Sequence, residues 1–167
     1  NIGILGRTAS ITGTNLIINS AGQASLACNL GGTYDFRFCT FNNNWANPKQ
    51  LSVLLSNNQE NSDGSITTED LVQANFFNCI IYGNNNVELF MNNDPDAIFN
   101  YDFKYNLIKF NDSGTSIANN PNYDFIRNET DGNIKNKNPK FLNVSNNSLN
   151  IDNSSAAFEK GSTDYFV

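Results

Sequence analysis

The chain contains no histidine. That removes the commonest general base, the Ser-His and Cys-His nucleophile arrangements, and every histidine-ligated metal from this segment. Charge is scarce as well: Asp, Glu, Lys and Arg make up 16% of the residues, too few for a long solvated helical face, so helix is disfavoured almost throughout. The ten Lys and Arg are scattered, and a net charge of −6 with a pI near 4.4 opposes binding to nucleic acid or to an anionic membrane surface. Only three cysteines occur, Cys28, Cys39 and Cys79, in neither a CxxC nor a zinc spacing. The odd number leaves at least one thiol free, and small buried hydrophobes is the reading they fit. No run approaches the apolar length of a membrane span, and the opening NIGILGRTAS lacks the charged start and apolar run of a signal peptide. With no initiator Met and a strand-like opening at Ile2 to Leu5, the chain reads as a fragment or mature piece whose export signal lies upstream.

What is abundant is asparagine, 33 of 167 residues, together with 13 Phe and 6 Tyr. The aromatic mass is ample for a core, and the length suits one domain. Asn tolerates left-handed backbone at turns and stacks into amide ladders when like strands lie in register. A chain this rich in it calls for many turns or many stacked coils, and both point to a β-solenoid.

Internal repeats support that reading. Tyr34-Asp35-Phe36-Arg37-Phe38-Cys39-Thr40-Phe41 matches Tyr101-Asp102-Phe103-Lys104-Tyr105-Asn106-Leu107-Ile108 in order and chemistry. Asn75 to Gly83 lies between them with the same Cys-apolar-apolar centre, and Gly13 to Asn19 is an earlier copy. Taking Asn15, Cys39, Cys79 and Asn106 as equivalent gives spacings of 24, 40 and 27, which suits coils of twenty-odd residues with a polar loop insertion at 56–70. Second apolar runs follow at Ala24 to Cys28, Leu51 to Leu55 and Val87 to Met91. Phe36, Phe76 and Phe103 should then form one interior stack, and Phe41, Ile81 and Ile108 another. One conflict stands: if Cys39 and Cys79 face inward, period-two alternation turns Arg37 and Lys104 inward too unless a bend intervenes. The expected fold is therefore all-β, a right-handed single-stranded parallel β-helix, with coils over 1–110 and a loop-rich closing segment of the same domain over 111–167.

Phe77-Asn78-Cys79-Ile80-Ile81-Tyr82-Gly83-Asn84 resembles the recurring Asn-Cys-apolar-apolar-aromatic-Gly-Asn coil of the pectate-lyase-like β-helix proteins found among Bacteroidetes surface lipoproteins. The ending Asn138-Pro139-Lys140-Phe141, followed by Ser154-Ser155-Ala156-Ala157, is similar to that family's (Asp/Asn)-Pro-x-Phe … Ser-Pro-Ala signature, with Ser155 in place of Pro. Phe158-Glu159-Lys160-Gly161 stands where Ile-Asn/Asp-x-Gly is usual. The resemblance runs from about Thr14 to Gly161. It implies the C-terminal portion of a longer β-helix, secreted or exposed on the outer membrane of a Gram-negative bacterium, anchored through an upstream lipid, with glycan handling as the usual association.

Three sets of residues carry the chemistry to be tested. Asp35 with Arg37 and Asp102 with Lys104 recur at equivalent strand positions and are the catalytic candidates of a polysaccharide lyase or hydrolase completed by upstream coils; equally, each is a solvent-facing ion pair. Asp94, Asp96 and Asp102 bracket Pro95 and are the candidate Ca²⁺ ligands, or an Asx-Pro turn. Trp45, flanked by Asn43 and Asn44, is the best sugar-stacking platform, with Tyr82 a weaker one, or else covers apolar surface. No cofactor is required beyond that calcium. The leading expectation is a non-catalytic β-helix that binds glycan or serves a structural role; a lyase and a surface adhesin or outer-membrane assembly subunit are the alternatives.

Overall fold

The computed structural model describes residues 1–45 and 49–166. The chain is all-β, with two parallel sheets built by successive passes of the backbone. The first pass is β1 (Ile2–Thr14) and β2 (Ile17–Asn19); the second is β3 (Ala24–Arg37) and β4 (Thr40–Asn43). The third comprises β5 (Leu51–Ser56), a hairpin of β6 (Asn58–Glu60) and β7 (Ile66–Thr68), then β8 (Leu71–Phe77) and β9 (Ile80–Gly83). The fourth is β10 (Leu89–Asn92), β11 (Asp102–Lys104) and β12 (Leu107–Ile108), and β13 (Ile134–Lys135) belongs to a fifth. One sheet runs β10-β5-β3-β8-β11 with β1 on β3, and the other runs β13-β12-β9-β4-β2. Every pairing within these two sheets is parallel.

The passage from one sheet to the other is made by a left-handed residue in each pass. Asn15, Phe38, Asn78 and Tyr105 have φ of 56°, 53°, 56° and 56°, and Gly132 follows at 74°. Their amides continue the ladder: Asn15 N donates to Arg37 O at 3.1 Å, Phe38 N to Phe77 O at 3.0 Å, Asn78 N to Lys104 O at 3.1 Å, and Tyr105 N to Asp131 O at 2.9 Å. Left-handed backbone costs a non-glycine residue unless the surroundings fix it, and here each corner is held by the next. The corner also removes the alternation conflict. It flips the phase of the strand, so Arg37 and Lys104 stay partly solvated while Cys39 and Asn106 are 1% exposed.

One residue past the corner, a buried side chain reaches back to the preceding pass. Cys39 Sγ donates to Gly13 O at 3.5 Å and Cys79 Sγ to Phe36 O at 3.5 Å. Asn106 Nδ2 donates to Phe76 O at 2.9 Å, and Asn133 Nδ2 to Phe103 O at 2.7 Å. Asn106 Oδ1 also accepts from Cys79 N at 2.8 Å, and Asn133 Oδ1 accepts from Asn106 Nδ2 at 3.0 Å. Inside these rungs lie the expected stacks. Phe36 and Phe76 have ring centroids 5.4 Å apart, Phe76 and Phe103 4.7 Å, and Phe41, Ile81 and Ile108 are register neighbours with no exposure.

Three details differ from the sequence reading. Ile17 pairs with Thr40, so Leu16 rather than Asn15 stands opposite Cys39. The insertion at 56–70 is an antiparallel hairpin whose polar strands carry no apolar alternation. The segment 111–138 holds, besides loops, the fifth-pass strand β13 and a one-turn helix, α1 (Asp124–Arg127). Phe125, on that helix, stacks on Phe103 at 4.8 Å, and Tyr123 stacks on Phe110 at 4.8 Å, closing this end of the core. Among the described residues no helix is long and apolar enough to cross a membrane.

Asn106 bridges the third and fifth passes, and its replacement orphans Cys79 N and Phe76 O together. Asn106→Ala is expected to lower unfolding free energy by about 3 kcal/mol in urea titrations. Asn106→Cys, which restores the donor used in the second and third passes, should lose less.

Candidate ligand-binding face

The outer side of the sheet that leads into the left-handed corners carries polar side chains in register. Thr12, Asp35, Asn75 and Asp102 form one column, and Thr14, Arg37, Phe77 and Lys104 the next. Ser10, Thr33 and Gln73 form a third. Consecutive rungs of a parallel sheet lie about 4.8 Å apart, so the face repeats hydrogen-bonding groups at close spacing along the stacking direction. A cleft of about 340 Å³ opens here, lined by Ile11 and by the polar Ser10, Thr12, Thr14, Thr33, Asp35, Arg37 and Gln73.

Asp35 and Arg37 sit at its floor as a bidentate pair, Nε to Oδ1 at 2.7 Å and Nη2 to Oδ2 at 3.1 Å. The hydrogen bond from Arg37 holds the Asp35 carboxyl below the usual carboxylate range, against the opposing effect of its partial burial. Asp35 is thereby an acceptor at neutral pH and a poor proton abstractor, while Arg37 keeps free donor capacity. Lys104 and Asp102 repeat the pair at 2.8 Å two passes on. Between them Phe77 lies 5.9 Å from both the Arg37 and the Lys104 cation, and Tyr165 stacks over it at 4.2 Å. The charged pairs of the sequence are therefore brought onto one face.

The other candidates are dispersed. Asp94 Oδ1 accepts from Asp96 N at 3.0 Å, which makes an Asx turn of this segment, while Asp102 is engaged by Lys104. Among the described residues no three acidic, Cys or His side chains are gathered at metal-binding distance. Asn43 is fully buried and donates to Leu51 O at 3.0 Å, so it supports the turn rather than facing solvent. Asn44 Nδ2 points to Asn19 Oδ1 at 3.4 Å. Trp45 is 56% exposed; the Asn47-Pro48 half of its turn lies outside the described residues. Tyr82 is half-buried, edge-on to Phe141 at 6.5 Å with Lys109 Nζ 5.3 Å from its ring. Trp45 and Tyr82 belong to the second sheet and its turn, away from the Asp35–Arg37 columns.

Compared with protein-family models, with curated proteins and with solved structures, the chain matches none.

One titratable residue escaped the sequence reading. Glu88, with no exposed surface, accepts from Asn85 N at 2.7 Å and lies 3.0 Å from Ser52 Oγ. The Ser52 hydroxyl also faces Tyr82 O and has a single proton. Both contacts are satisfied together when Glu88 is protonated and donates to Ser52. Burial pushes the carboxyl from its ordinary 4.5 up to about 7, against the hydrogen bonds at Asn85 N and Ser52 and the Lys109 charge. No motif marks such a group; only its place at the mouth of a strand turned inward does.

The unfolded chain therefore loses this proton near pH 4.5, and the folded chain keeps it until about pH 7. Through that window the unfolded state binds fewer protons, so the stability contributed by neutral Glu88 is full at acid pH and is lost as pH rises, by up to about 3 kcal/mol. Glu88→Gln should flatten this part of the stability–pH curve measured by denaturant unfolding, and an unchanged slope would place the proton elsewhere.

Proposed function

We propose that the chain is a right-handed parallel β-helix of a secreted or cell-surface bacterial protein, and that its outer polar columns bind a glycan without transforming it. The observation that carries the reading is the Asp35–Arg37 pair set among Thr12, Thr14, Thr33 and Gln73 in a cleft of about 340 Å³. Sugar hydroxyls are both donors and acceptors, and a fixed carboxylate beside a guanidinium offers each a partner at defined geometry. The parallel in-register passes, the recurring left-handed corners and the likeness to surface-lipoprotein coils support the fold half of the proposal. A clamped, strongly acidic Asp35 favours holding a sugar over abstracting a proton from one.

The test is affinity chromatography and calorimetry against uronate and neutral polysaccharides, with calcium and with chelator, while product formation is followed by ultraviolet absorbance and reducing ends. Saturable binding without turnover is expected. Arg37→Ala should weaken it about tenfold, since the loss removes a charge-assisted hydrogen bond, with the fold intact. Calcium-dependent unsaturated product would instead establish a lyase. A larger loss in Trp45→Ala than in Arg37→Ala would move the site to the turn after β4.

A further inference from the structure

The second sheet carries an apolar column on its outer side. Ile17, Thr40, Ile80, Leu107 and Ile134 stand in register, one from each pass, and alternate with inward residues such as Cys39, Phe41 and Ile81. Parallel sheets as a rule are covered on both faces, and here the chain supplies a cover from its own closing segment. Phe141 meets Tyr82 edge-on, and Asn147 Oδ1 accepts from Asn19 Nδ2 at 2.8 Å. Asn78 clasps Ser162, its Nδ2 donating to Ser162 O at 2.9 Å and its Oδ1 accepting from Ser162 N at 2.8 Å. Leu107 of the sheet and Leu149 of the segment are both buried.

The cover leaves a space unfilled. Between column and segment a cleft of about 390 Å³ remains, with Ile80, Leu107 and Ile134 on the sheet side and Leu149, Ile151 and Ala157 on the other. Protein interiors leave few gaps larger than a water molecule, whereas pockets for small molecules begin at about 300 Å³. The segment is braced against settling onto the sheet. Leu142 N donates to Asn150 O at 3.0 Å and Ser148 N to Asn143 O at 2.8 Å, which fixes the span 142–150 as a tight loop, and the bonds at Asn19 and Asn78 tie the segment down at separate places. Ala157 presents only a methyl group to the cleft. The space is therefore preformed, and a ligand entering it need not reorder the chain.

One charged side chain lines the cleft, Lys160, and it makes no ion pair among the described residues although the chain carries a net charge of −6. We propose that this cleft binds an amphipathic anion, its hydrocarbon body against Ile80, Leu107 and Ile134 and its single acidic head at Lys160. An apolar cavity of about 150 Å³ holds a benzene-sized ligand, so the body has on the order of twelve carbons. A cation beside an apolar wall selects an acidic head over a neutral one. The cleft lies on the flank of the stack, over passes three to five, so its floor faces the same way whatever pass precedes β2. The polar columns belong to the other sheet, and the two sites act separately.

Fluorescence titration of the folded chain with anilinonaphthalenesulfonate, an aromatic body with one sulfonate, should saturate at a single site, and decanoate should displace the dye. Decanol, which has the same body and no charge, should displace it less well. Lys160→Gln should weaken decanoate about fivefold and leave decanol unchanged. Ala157→Trp fills the cleft and should abolish binding of both at an unaltered unfolding midpoint; should that variant fail to fold, Lys160→Gln decides alone. Dye uptake that never saturates, or no displacement by decanoate, overturns the proposal. So does decanoate binding that ignores Lys160→Gln, or that survives in folded Ala157→Trp. Arg37→Ala, which weakens the glycan, should leave decanoate untouched, so either site can fail without the other.

Discussion

The structure depends on the corner between its two sheets. Four non-glycine residues there take a left-handed conformation that isolated residues avoid, and each is held because its amide joins the ladder to the next pass. Immediately inside the corner a buried donor ties its pass to the one before. In the second and third passes this donor is a thiol at 3.5 Å, and in the fourth and fifth an amide at 2.9 and 2.7 Å. The change follows need. β11, β12 and β13 are only two or three residues long, so strand pairing alone fixes little, and the stronger rungs stand where the ladder is shortest.

The same corner decides what the outer face can present. By reversing the alternation between residues 37 and 39, and again between 104 and 106, it lets a cation and a buried polar or thiol side chain stand two residues apart without either facing the wrong medium. The interior side receives the Phe36, Phe76, Phe103 and Phe125 rings, and the outer side receives Asp35, Arg37, Asp102 and Lys104. The parallel register then aligns these outward residues into columns. Chemistry on the face is therefore set by stacking, with no loop needed to assemble it.

How much of this was written legibly varies with residue type. The phenylalanine stack and the Phe41, Ile81 and Ile108 stack could be read because large apolar residues at a steady offset have few other meanings. The two charged pairs were legible for the same reason, and register makes them neighbours. The fifth pass was hidden because its strand is the two residues Ile134 and Lys135 in polar surroundings, and because Asn133, its rung, looks like any other of 33 asparagines. Phe38 gave no sign of a left-handed corner, since that conformation is imposed by its neighbours and not by its own preference. Glu88 was invisible because burial of its carboxyl is decided by β5, where Ser52 stands 36 residues away in sequence. Asp94, Asp96 and Asp102 were close in sequence, yet a turn and a strand separate their duties.

Burying polar groups so close to an aromatic core would add little stability over well-packed hydrophobes of the same volume, so the rungs are better understood as register devices. Asn106 shows why. Its carbonyl oxygen accepts from Cys79 N in the pass before, and its amide nitrogen donates both to Phe76 O and to Asn133. A slip of one residue between the third and fourth passes would break the bonds to Cys79 N and Phe76 O and, through period-two alternation, turn Lys104 toward the Phe76 ring. The aromatic stack alone tolerates such slips, because Phe36, Phe76 and Phe103 differ little from Phe77 or Tyr105 as packing units. Apolar burial makes the passes stack; the asparagine rungs and left-handed corners make them stack in one register.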